Sequence, residues 1–491
     1  MAWAPPRVFK RMSRFCKTGN PMSMIDCTAN VAPKRDREMM AIRLLKTLTL
    51  GSVVALALAP LPAPAGEPAL AKIDHFVVIY MENRSFDSMF GLFPGANGLS
   101  NAGNAAIQVD RDGKPYTVLP PVMDTNQTPP ASDPRFPANL PNRPFDIGQY
   151  VPMQQKTGDL IHRFYTNQRQ IDGGKNDLFV AWSDAKALTM GYYDASNTEQ
   201  GRLAKAYTLA DNFFQGAFGG SFLNHFWLVC ACTPRYDQAP GRLIATFDEH
   251  GELTKDGVVT PDGYAVNTIQ SSFQPHDPKI TDPTSLLPPQ SMPTIGDRLS
   301  EKGVSWAWYS GGWNNAVAGH PDPSFQFHHQ PFAYFQQFGD GTAARTAHLK
   351  DYTDLERAIS DGTLPTVVFY KPIGELNEHP GYSEIADADE HLGKLMDKLE
   401  TSSHWSSTAV IIVPDENGGS WDHVAPPKGD RWGPGTRIPA IIVSPLAKKG
   451  FVDHTEYDTT SILATLEHRF NLKPLGERDA HVNDLSNAFE D

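Results

Sequence analysis

Three short segments of this 491-residue chain concentrate oxygen-bearing side chains where an apolar run ends. The run Ile73–Tyr80 leads into Met81-Glu82-Asn83-Arg84-Ser85-Phe86-Asp87. The run Val410–Val413 leads into Pro414-Asp415-Glu416-Asn417-Gly418-Gly419-Ser420-Trp421-Asp422-His423. Carboxylates gathered at one place repel one another unless a cation sits among them. Either loop alone reads equally well as a polar turn with a helix cap; two in one chain favour a metal site. The third segment, Asp211–His225, sets Gly219-Gly220 ahead of Ser221, and Ser221 opens an apolar, helical run from Phe222 to Val229. A serine there is commonly an N-cap, yet a helix N-terminus is also where an anion is best bound. The serine-esterase elbow G-x-S-x-G is absent, because Leu223 stands where its last glycine would be. A neighbouring metal could instead activate the serine oxygen by coordination.

These segments need a scaffold that brings them to one place. Residues 76–80, 304–308, 366–370, 409–413 and 440–443 are short runs rich in β-branched or aromatic residues, without clean alternation. They read as strands covered on both faces. Between them, Ile385, Ala388, Leu392, Leu395, Met396 and Leu399 recur at three- and four-residue spacing and form one helical stripe. Residues 461–470 predict another helix, introduced by the cap-like Asp458 and Thr459. Strands alternating with helices imply an α/β sandwich around a mostly parallel sheet, whose ligands bind beyond the carboxyl ends of the strands. Residues 101–152 and 233–292 have no sustained period and read as long surface excursions.

Composition bounds the setting. Residues 48–59 are apolar, follow Arg43 and Lys46, and precede Ala63-Pro64-Ala65, so 39–65 read as a cleaved signal peptide rather than a membrane span. Residues 1–38 read as a non-native or disordered extension, and 66–491 as the catalytic domain, exported to the periplasm or beyond. Without residues 1–65 the chain holds 33 basic against 53 acidic residues, a net charge of −20. That balance argues against a nucleic-acid partner. Cys230 and Cys232 remain, and at this spacing they are expected to be buried free thiols. No lipid-anchor cysteine follows the signal, so no stable membrane anchor is expected.

The Glu82–Asp87 motif, the Gly219-Gly220-Ser221-x-x-Asn224-His225 segment and Asp415-Glu416-x-Gly418-Gly419-x-x-Asp422-His423 together resemble the bacterial acid phosphatase/phospholipase C phosphoesterase family, within the alkaline-phosphatase-like superfamily. The resemblance runs in order from about Ile73 to Leu472. It takes in Arg437-Ile438-Pro439, Ser444-Pro445 and His454-Thr455-Glu456-Tyr457-Asp458. It implies a three-layer α/β/α fold with long loop excursions, Ser221 as nucleophile, and Glu82, Asn83, Asp415 and Glu416 holding metal together with the serine oxygen. One or more divalent or transition-metal ions are implied, of open identity. His162, His329 and His379 match catalytic histidines, with His328, Asn224 and His225 on the substrate side. The acid-phosphatase branch can have two aspartates where this chain has Asp415-Glu416, a longer second carboxylate. On their own spacing the histidines are weak signals, and His328-His329 in extended backbone would point oppositely, so that at most one faces a given site.

The implied activity is phosphoric-ester hydrolysis through a phosphoserine, with phosphate monoesters as first reading and phospholipase C action on phospholipid head groups as alternative. Only 21 residues follow Phe470, too few for the additional C-terminal domain of many phospholipases C, which tilts the expectation toward a phosphatase. A metal-free serine carboxylesterase and a non-catalytic exported binding protein are the rivals from other classes; neither accounts for the paired acidic loops.

Overall fold

The computed structural model describes residues 69–490, so the extension, the signal-peptide reading, Cys16 and Cys27 lie outside the described residues. The strands of its main sheet are β1 (His75–Met81), β2 (Thr208–Phe214), β3 (Trp306–Ser310), β4 (Leu349–Asp351) and β5 (Val367–Lys371). They continue with β6 (Thr408–Pro414), β7 (Arg437–Val443), β8 (Phe451–Asp453) and β9 (Tyr457–Asp458). Their order across the nine-stranded sheet is β4-β3-β5-β1-β6-β7-β2-β8, with β9 also pairing β2. Only β7 runs against the rest, antiparallel to both β6 and β2. The sheet is therefore mixed and mostly parallel, as the apolar runs imply. Strand β2 is an addition: in the sequence Asp211–Phe214 reads as part of the approach to Ser221.

Each central strand is apolar on both sides because both faces are covered. Phe76, Val78 and Tyr80 of β1 enter one core, while Val77, Ile79 and Met81 enter the other. Five helices suffice to describe the layers: α1 (Glu199–Ala206), α2 (Ser221–Cys230), α3 (Tyr352–Ser360), α4 (Ile385–Glu400) and α5 (Thr459–Phe470). Helices α2 and α5 supply Phe222, Phe226, Ile462 and Leu466 to the first core; α1, α3 and α4 supply Leu203, Leu355 and Leu392 to the second. The predicted stripe of α4 is buried along its whole length. Asp458 caps α5 in a capping box with Ser461. The excursion over 101–152 holds two-residue strands, such as Met123–Asp124 against Ala131–Ser132, and short 3-10 turns such as Ile147–Gln149.

The cysteines correct an expectation. Cys230 and Cys232 form a disulfide rather than free thiols. Cys230 ends α2, and Ala231 adopts a left-handed conformation (φ 46°) that turns the chain back on itself. The two Cα atoms come to 5.1 Å, within bridging range. Among the described residues no helix is long and apolar enough to cross a membrane.

Candidate functional site

Met81 of β1 is in register with Pro414 of β6, so Glu82 and Asp415 leave the sheet side by side at its carboxyl edge. Lys371 ends β5 on the other flank of β1. Ser221 is the first residue of α2, and its Oγ donates to Glu82 Oε2 at 3.1 Å. The loop ahead of it needs glycine: at Gly219 (φ +87°) a Cβ would stand 2.5 Å from Phe164 N. The acidic loop has the same need at Gly418 (φ +59°), where a Cβ would meet that of Asn83 at 2.5 Å.

Glu82, Asp415 and Glu416 are fully buried and each offers a carboxylate oxygen within 4.8 Å of the others. Lys371 Nζ, equally buried, lies 2.9 Å from Glu82 Oε1 and 3.3 Å from Asp415 Oδ2. Lys371 and, across from it, His162 are two cations against three carboxylates, and the titration of the group reflects it. Burial pushes Glu82 up, but Lys371 and then His329 outweigh it and hold its carboxyl well below the usual range. Burial and the charge of Glu82 push Asp415 up to about 7 despite Lys371. Burial also drives Glu416 well above the ordinary carboxylate value, with His162 opposing.

Asn83 sharpens the point. Its side-chain oxygen faces only acceptors and its nitrogen only donors. Either the amide is turned, so that its nitrogen donates to Glu82 Oε2 (2.6 Å) and Glu416 Oε1 (2.8 Å), or a cation lies among the three oxygens. In addition, His225 Nε2 is buried without a hydrogen-bond partner, while Glu82 Oε1 meets both Lys371 Nζ and His329 Nε2. Excess carboxylate and converging oxygens fit a divalent cation held by Glu82, Asn83, Asp415 and Glu416 beside Ser221.

The histidines divide into two groups. His329 Nε2 is 2.7 Å from Glu82 Oε1, His225 stacks on His329 at 5.3 Å, and the His328 ring centroid is 4.6 Å from that of His329. The expected opposition of His328 and His329 is not found: residues 327–329 form a 3-10 turn, whose neighbours are separated by about a third of a revolution, so both rings join the cluster. Burial lowers all three, His329 to about 4. On the other side, His162 Nε2 approaches Glu416 Oε1 at 3.9 Å, and His379 packs edge-on against His162 at 5.5 Å. Burial lowers His162, but Glu416 and Asp159 outweigh it and raise it to about 9; burial lowers His379. A cleft of about 300 Å³, lined by Asp159, His162, Gly220, Phe222 and Asn267, opens onto this side.

Asn224 is placed differently from the substrate-side expectation. Its amide accepts from Ala217 N (2.8 Å) and donates to the carbonyls of Ala217 (3.2 Å) and Gly220 (3.2 Å), so it braces the glycine loop. His225 Nδ1 contacts Ser221 O at 2.7 Å. His423 and His454 lie apart, on Asp87 and Asp211 respectively. Lys371 was missed by the sequence reading. Its only signal was a lysine closing the apolar run Val367–Tyr370, a position where an unpaired charge would be costly.

A family model described as the Phosphoesterase family matches residues 73–473. The chain belongs to the Phosphoesterase family. Curated relatives include the non-hemolytic phospholipase C of Pseudomonas aeruginosa, 24% identical over 90% of this chain and 62% of that protein. Phospholipase C B of Mycobacterium tuberculosis is 26% identical over 86% of this chain and 78% of that protein. The chain thus spans about three fifths of the length of the first and about three quarters of the second. Among solved structures, a protein in the alkaline phosphatase superfamily from Vibrio parahaemolyticus aligns with 58% of this phosphoesterase and 64% of its own chain, at 13% identity and TM-score 0.33.

Proposed function

We propose that this phosphoesterase hydrolyses phosphoric esters by transfer of the phosphoryl group to Ser221, with phospholipase C-type diesters as its substrates. The observation that carries the reading is Ser221 Oγ, at a helix N-terminus, 3.1 Å from a carboxylate of a cluster that the protein's own cations do not neutralise. Ser221 Oγ forms a bond to phosphorus as the bond to the alcohol oxygen breaks in line. The serine proton has a direct path to Glu82 Oε2. His162 lines the cleft with His379 packed against it, and one of them can protonate the departing alkoxide. Water then attacks phosphorus, the Oγ–P bond breaks, and the serine oxygen recovers a proton. A divalent ion, when bound, supplies Lewis-acid charge for the phosphoryl oxygens. The Gly219-Gly220 loop, held by Asn224, keeps the α2 N-terminus open to the anion.

The diester preference rests on the named phospholipase C relatives. The monoester reading retains one support, His162 at the cleft with His379 behind it, which suits a more highly charged phosphate. Parallel kinetics on nitrophenyl phosphocholine and nitrophenyl phosphate, for wild type and Ser221→Ala, test both. The proposal expects the phosphocholine ester to be preferred and Ser221→Ala to lose both activities. Preference for the monoester would restore the phosphatase reading, and full activity of Ser221→Ala would end both. Export is part of the proposal, and N-terminal sequencing of protein recovered outside the cytoplasm tests it, with cleavage after Ala65 expected.

A further inference from the structure

The carboxylate oxygens of the site face two ways. Glu82 Oε2 meets Ser221, and Asp415 Oδ1 accepts from Asn83 N at 3.4 Å. Glu82 Oε1 and Asp415 Oδ2 turn instead to Lys371 Nζ, which also donates to Met81 O at 2.8 Å. His329 Nε2 joins the same side, 2.7 Å from Glu82 Oε1. Two carboxylate oxygens and a backbone carbonyl thus gather around one ammonium group, and His329 Nε2 lies against one of those oxygens. Oxygen donors of this kind hold divalent ions in other proteins.

We propose that Lys371 Nζ is a resident cation in what would otherwise be a second metal position, and that it limits the centre to one ion. The inference rests on reading Glu82, Asn83, Asp415 and Glu416 as a metal site. A lysine cannot be stripped by chelators and does not exchange, so it fixes the orientation of Glu82 and Asp415 whether or not the neighbouring site is filled. It is a positioning residue. Burying an ammonium here is tolerable because two carboxylates and a carbonyl replace its water. Removing it leaves the same donors around a void with excess negative charge.

The test is metal stoichiometry, read independently of turnover. Wild type, Lys371→Ala, Lys371→Gln and Lys371→Arg are stripped with chelator, equilibrated with zinc, freed of excess metal and assayed for zinc per chain, with circular dichroism to confirm folding. The proposal expects about one ion per chain in wild type and Lys371→Arg, and about two in Lys371→Ala and Lys371→Gln. Lys371→Gln keeps a donor for Met81 O and guards against loss of fold in the alanine variant. One ion in folded neutral variants, or two in wild type, would overturn the role of Lys371 while leaving the metal reading intact. No ion in wild type would overturn both.

Discussion

Two buried clusters of acid and imidazole lie at the same edge of the sheet, and they are neutralised differently. In one, Arg437 at the start of β7 reaches Asp422 Oδ1 at 3.0 Å and Asp87 Oδ1 at 3.1 Å. Asp87 Oδ2 takes His423 N and Nδ1, and Asp422 Oδ2 takes Asp87 N, so all four oxygens are partnered. Arg437 spends a further nitrogen on the carbonyls of Asn97 and Asp211. In the other cluster Glu82 and Asp415 share Lys371 while Glu416 faces His162, an amide oxygen faces acceptors, and His225 Nε2 is left without a partner. Both sets have the residue types that bind metals. Composition does not separate them; satisfaction of donors and acceptors does. The cluster closed by Arg437 is complete without a ligand, and the open one is the candidate for holding one.

The contrast can be broken in graded steps. Ser221→Ala or Asp415→Ala at the open cluster should cut turnover by about 10³-fold or more, a loss on the scale of removing a nucleophile or its electrostatic partner. Both should keep a wild-type circular dichroism spectrum, and comparable activity in either would contradict the assignment. Arg437→Ala at the closed cluster should act on the fold instead, costing about 3–5 kcal/mol because two buried carboxylates lose their counter-ion. Urea melts check this, and an unchanged midpoint would mean that the cage is dispensable. Metal withdrawal should again separate the two. Chelation should lower the melting temperature of wild type, by an amount equivalent to about 2.7 kcal/mol where free metal had stood at 100 times its dissociation constant. Asp415→Ala should melt identically with and without chelator.

A third device is read through pH. Glu467 on α5 is neutralised by neither metal nor cation: burial and then Asp479 push its carboxyl up to about 8. A raised acid is neutral in the fold. Its contribution is therefore complete below the ordinary carboxylate value and is lost as pH rises through about 8. Glu467→Gln should gain melting temperature relative to wild type between pH 5 and 9. A constant difference across that range would show that Glu467 titrates normally.

Much of this contrast was legible before any coordinates. Both acidic loops, Ser221 and the histidine positions stand at recognisable strand ends because apolar runs and glycines mark where the backbone leaves a buried sheet. Arg437 was visible only as a motif, since nothing in a linear pattern shows a guanidinium reaching back to Asp87. Lys371 was hidden for the opposite reason: it has no motif, and its role comes from register with β1. The pairing of Cys230 with Cys232 depended on one left-handed residue, Ala231, which local spacing does not announce. The joint presence of His328 and His329 depended on a 3-10 turn rather than extended chain. Strand β2 was missed because Asp211 and Asn212 interrupt its apolar run; Asp211 Oδ2 accepts from Asn97 N at 2.7 Å.

Calorimetric titration of chelator-stripped protein with zinc or manganese, comparing wild type, Asp415→Asn and Asp422→Asn, tests the central claim most directly. Saturable binding by wild type, lost in Asp415→Asn and kept by folded Asp422→Asn, is the result predicted. Absence of binding in wild type, or equal affinity in Asp415→Asn, would contradict it.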